Sequence, residues 1–91
     1  MKQSQSLTNN LLMEVDLLSN RLRNIKQSFK TTNNNSLKER LFSENKSIFM
    51  RINEIHRIAE LLNKKNSGKI NFSKLLFEIT KRILNENKFE S

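Results

Sequence analysis

A helix carrying His56 would place Glu60 one turn away on the same side, and that pair is the nearest this chain comes to an acid–base or metal-binding arrangement. His56 is the only histidine, and there is no cysteine. A metal site built without thiolates needs several imidazole and carboxylate ligands, and one His with one Glu falls short. General acid–base work also requires a cleft that shifts a pKa, whereas His56 stands beside Ile55 at the border of an apolar stripe. Nucleophiles fare no better, since no Ser sits in a G-x-S-x-G turn. A phosphate-cradling loop cannot be built with Gly68 as the one glycine. The expectation is a non-enzymatic chain with no catalytic residue, no cofactor and no metal.

Positive charge is the second candidate chemistry. The net charge is +8, enough to attract phosphate and to make such binding steeply salt-dependent. Arg21, Arg23, Lys26 and Lys30 form the best local cluster, and with Arg51 and Arg57 they are the residues a nucleic-acid reading would use. Three observations weaken it. Charge is spread evenly: residues 1–35 carry five cations and two anions, residues 36–65 seven and four, residues 66–91 five and three. Cations at the end of a helix are what the macrodipole favours without any ligand. Exposed aromatics for base stacking are not interleaved with the basic residues. Several charges also fall at pairing distance along a helix, as Glu60 with Lys64 and Glu78 with Arg82. Fourteen Asn and eleven Lys against six Arg point to compositional bias of an AT-rich genome as a sufficient source of the charge.

The elements that would position these residues are legible from spacing. Leu11, Val15, Leu18, Leu22, Ile25 and Phe29 repeat 4-3-4-3-4, an a/d seam of nearly three heptads. Ile48, Ile52, Ile55, Ala59 and Leu62 repeat 4-3-4-3, with Leu41 continuing the line and Asn45 in an a slot. Phe72, Leu76, Ile79 and Ile83 give a third, shorter stripe, joined by Leu75, Phe77 and Leu84 on other faces. There is no Pro to break these segments. The polar run Thr31–Asn35 reads as a turn. Ser36 with Glu39 fits a capping box opening the second helix. Gly68 would close that helix, and Asn71 would cap the third with Ile70 and Leu75 as a hydrophobic staple.

The expected fold is all-α: an antiparallel hairpin of two long helices, about 6–31 and 37–66, plus a shorter third helix over about 72–87, in one domain spanning 1–91. At 1.5 Å per residue the long helices reach roughly 40 Å, more than helix three can cover, so part of the seam should stay bare. That predicts a protein–protein interaction module (an adaptor, small chaperone or assembly factor) that binds a partner helix or a second copy. Phe42, Phe49, Phe77 and Leu84, which fall off the strict a/d positions, are the expected partner contacts. Asn45 is a candidate for setting register. No run approaches the ~20 apolar residues that span a bilayer, and narrow heptad seams without Trp disfavour the membrane surface. No apolar leader stretch opens the chain, so the expected address is cytoplasmic.

Overall fold

A computed structural model describes residues 2–65 and 72–86. Three helices account for nearly all of them: α1 (Lys2–Thr31), α2 (Asn35–Lys65) and α3 (Phe72–Glu86). The arrangement is all-α, as the periodicity requires, with the long helices antiparallel. The molecule measures 49 × 21 × 15 Å, one long helix in length and little more than a helix in thickness. Expected features at Gly68, Ile70, Asn71, the side chain of Phe72 and the fraying end at Asn87–Phe89 lie outside the described residues.

The 4-3 spacing works as a seam because residues three and four apart stack on one side of a helix. Leu11, Val15, Leu22 and Ile25 of α1 are at most 5% exposed, and Ile52, Ile55 and Ala59 of α2 are fully buried. Leu41, Asn45 and Ile48 continue the α2 line toward the turn, each buried. The expectation of a bare stretch of seam is therefore corrected for most of its length: the line is buried within the chain except at Leu18, Phe29 and Leu62, which are half-buried. Lys38 places its ammonium 5.6 Å from the Phe29 ring.

The turn is tighter than the polar run suggested. Thr32 N–H still donates to Ser28 carbonyl oxygen at 3.0 Å, and the Thr32 hydroxyl oxygen accepts from Asn34 N–H at 3.1 Å. Asn34 then caps α2, its Oδ1 accepting from Leu37 N–H at 3.1 Å. The cap is Asn34 rather than Ser36, and Asn35 and Ser36 join the helix. An amide side chain two residues earlier already satisfies the orphan donor, so the capping box at Ser36 goes unused.

Ion pairs on the edge of the hairpin record its register. Glu14 takes a two-pronged contact from Arg51 (Nε to Oε2 at 2.6 Å, Nη2 to Oε1 at 2.9 Å). One heptad on along α1 and one back along α2, Arg21 grips Glu44 at 2.5 and 2.8 Å, with the charges swapped. Arg51 also reaches Glu54 at 2.7 Å. Neither Glu60–Lys64 nor Glu78–Arg82 is an ion pair among the described residues. The carboxylates choose arginines across the hairpin, where a planar fork meets two oxygens at once. Hydrogen bonding from Arg51 holds Glu14 below its ordinary value of 4.5 against the opposing effect of burial. Arg21 does the same for Glu44, and both guanidiniums are raised in return.

In α3 the innermost line is Ser73, Leu76, Thr80 and Ile83, not the all-apolar stripe read from spacing. Phe77, Ile79 and Leu84 are half-buried beside it. The helix packs chiefly on α2 and more loosely on α1.

Two outcomes test this description. Asn34→Ala should cost about 1 kcal/mol in chemical unfolding, while Ser36→Ala should stay within about 0.5 kcal/mol of wild type. Glu14 and Glu44 have lowered folded pKa values, so the stability they give is present above 4.5 and lost as pH falls through the folded values. The gap between wild type and Glu14→Gln should accordingly be at most about 1 kcal/mol near neutrality and close below pH 4.5, as read by thermal unfolding across pH.

Candidate functional site

Three helices make three lines of contact, and polar side chains bridge two of them. Between α1 and α2, on the side away from α3, the edge is laced by the Glu14–Arg51 and Arg21–Glu44 pairs. Leu17 stands three residues after Glu14 and four before Arg21 on this same side, 68% exposed, and Met13 and Met50 are equally open. These apolar side chains are interspersed with the four charges of the two ion pairs.

Between α2 and α3, His56 and Phe77 stack with ring centroids 4.6 Å apart and planes 22° from parallel. His56 Nδ1 lies 2.7 Å from the Thr80 hydroxyl, which also lies 2.9 Å from Leu76 carbonyl oxygen and 3.0 Å from that of Phe77. A hydroxyl has one proton to give. When it goes to a carbonyl of its own helix, Nδ1–H donates across to Thr80. The histidine is thus a strut between helices, with its nearest contacts on Phe77 and Thr80. Among the described residues no group of three or more His, Asp or Glu is placed to hold a metal ion.

The third, between α1 and α3, leaves a crevice. It encloses about 520 Å³, within the ~300–1,000 Å³ typical of binding clefts. Its floor is aliphatic: Leu12 and Val15 from α1, Ile79 and Ile83 from α3. Its rim is polar: Asp16, Ser19, Arg23 and Lys26 on α1, Arg82 and Glu86 on α3. Leu12, Asp16, Ser19, Arg23 and Lys26 repeat 4-3-4-3 and so line one side of α1, next to the seam. Arg23 bonds Asn20 at 3.3 Å. Arg23, Lys26 and Arg82 enter no ion pair among the described residues.

The residues singled out from sequence are distributed as follows. Of the phosphate-binding set, Arg23 and Lys26 come together at the crevice, and Lys30 is exposed one turn on. Arg21 and Arg51 are occupied by carboxylates, and Arg57 is exposed on α2, apart from the others. Of the expected partner contacts, Phe49, Phe77 and Leu84 pack against the core of this chain, and Phe42 is 51% exposed. Arg82, Ser19 and the aliphatic floor were missed, because spacing alone does not say which side of α3 turns toward α1.

Nor does any described helix have the length and apolarity to cross a membrane. Compared with known proteins, the chain matches no family model, no curated protein and no solved structure.

Proposed function

We propose that this chain is a non-catalytic binding module of the cytoplasm that receives an amphipathic helix of a partner protein in the crevice between α1 and α3. One observation carries the reading: between α1 and α3 a crevice of about 520 Å³ remains, where the half-buried Leu12 and Ile79 are framed by polar side chains. A helix laid in a groove uses both parts of such a surface, apolar residues at i, i+3 and i+4 on the floor and polar ones on the rim. Ser19, small and half-buried on the rim, is the natural place to block it.

Affinity capture followed by mass spectrometry, run at two salt concentrations with and without nuclease, provides the test. Proteins held by the wild-type chain should be lost on Ser19→Trp, whose helix content by circular dichroism should match wild type, and should survive nuclease. Retention of the same proteins by Ser19→Trp, or their release by nuclease, contradicts the reading.

A second reading, phosphate binding, rests on Arg23, Lys26 and Lys30, which form no ion pair among the described residues. Three phosphate contacts predict a slope of log affinity against log salt of about −2.7 on duplex DNA. Replacing these three by Gln should flatten that slope, whereas Arg21→Gln, which removes a cation already bound to Glu44, should leave it unchanged.

A further inference from the structure

The edge of the hairpin away from α3 is electrically neutral in a chain of net charge +8. On α1 it runs from Leu7 to Ser28 in steps of 3-4-3-4-3-4, through Glu14, Leu17 and Arg21. On α2 it runs from Leu37 to Leu61 in the same alternation, through Arg40, Glu44, Ser47, Arg51 and Glu54. Arg21, Arg40 and Arg51 balance Glu14, Glu44 and Glu54, and none of the six is buried. All three ion pairs found among the described residues lie here. Two copies of so basic a chain repel each other, and a neutral edge is where they can approach.

The order of residues along this edge is antisymmetric in charge about the line from Leu17 to Ser47. On α1, Glu14 stands three residues before Leu17 and Arg21 four after it. On α2, Glu44 and Arg51 flank Ser47 at three and four residues, and Arg40 and Glu54 flank it at seven. Leu37 and Ile58 lie beyond them at ten and eleven, both apolar. We propose that this edge docks a second copy of the chain, turned end for end about a two-fold axis crossing the hairpin at that line.

The rotation sets Glu14 over Arg21, Glu44 over Arg51, Arg40 over Glu54 and Leu37 over Ile58. Each pairing is made twice, as an isologous interface requires. Leu17, 68% exposed, meets its own copy on the axis. It stands at the middle of α1 (Lys2–Thr31), so the copies overlap nearly end to end. The pairs within each copy survive, because a carboxylate has about four lone-pair sites and a guanidinium five donors. A two-fold axis running along the hairpin would instead leave Arg40 over Asn24 and Glu54 over Asn10, without charge partners. The crevice between α1 and α3 lies on the other side and is left free.

Sedimentation velocity of the full-length chain over a concentration series tests this with two swap variants. Arg21→Glu/Glu44→Arg keeps an ion pair within the hairpin but makes α1 wholly acidic and α2 wholly basic at the four central positions. Glu14→Arg/Arg51→Glu does the reverse. The wild type should show a monomer–dimer equilibrium, and each swap alone should weaken it about tenfold or more, by setting like charges face to face. An equal mixture of the two swaps should dimerise again, since the acidic α1 of one then meets the basic α1 of the other. Leu17→Asp should also weaken the dimer, with helix content by circular dichroism equal to wild type, and it decides the matter if a swap loses helix. A wild type that stays monomeric up to millimolar concentration overturns the proposal. So does a dimer that survives both swaps and Leu17→Asp, or folded swaps that remain monomeric when mixed.

Discussion

The structure depends on one constraint: two long helices each carry a single line of aliphatic side chains, and neither line can be satisfied except by the other. Val15, Leu22 and Ile25 meet Ile52, Ile55 and Ala59 in a strip that water does not reach. A chain this small buries roughly 60–65% of the surface its unfolded form exposes, so it has little apolar area to spare. The three-residue turn and the two arginine–carboxylate pairs, one heptad apart, hold the lines opposite each other. Half-exposed pairs of this kind add little stability. Their effect is on register: a slip by one turn would pull guanidiniums from carboxylates and set unlike seam residues together.

With the hairpin set, α3 can lie on only one of its two sides. The side toward Arg51 and Arg21 is charged, and the other presents the remaining flank of the seam. There α3 leans on α2, where His56, Phe77 and Thr80 interlock, and stands looser on α1. That asymmetry is the origin of the open crevice. Thr80 shows how a polar residue earns a place in the interior: its hydroxyl reaches back to its own helix and across to His56, so nothing polar is left unmet. Among the described residues no buried side-chain nitrogen or oxygen lacks a partner.

Fold class and helix placement were legible because the 4-3 repeat survives without Pro over both long segments, and only a helix puts those positions on one side. What escaped shares a physical cause, namely that each of these features depends on a neighbour in space. Ser36 and Asn34 are both good caps, and the hydrogen bond that Asn34 N–H donates to the Thr32 hydroxyl oxygen decides between them. Glu78 and Arg82 sit at helical pairing distance, yet the stronger bidentate geometries lie between helices. Phe49, Phe77 and Leu84 leave the strict seam in sequence, yet they are partly buried against the core, which a third helix makes wider than a two-helix seam. Buried Ser73 and Thr80 broke the apolar pattern of α3 and rotated its inner line. The crevice itself depends on how α3 leans, which no periodicity encodes.

The most direct check on this picture is chemical unfolding of Ile52→Ala and Ile55→Ala, followed by circular dichroism, with Met50→Ala and Leu17→Ala as exposed controls. A sealed seam predicts losses of about 2–5 kcal/mol for the two isoleucines and changes within about 0.5 kcal/mol for the controls, with all helix signal lost in one transition. If the isoleucine variants behave like the controls, or if helix persists after the seam is cut, the helices are not held by this strip and the account built on it is wrong.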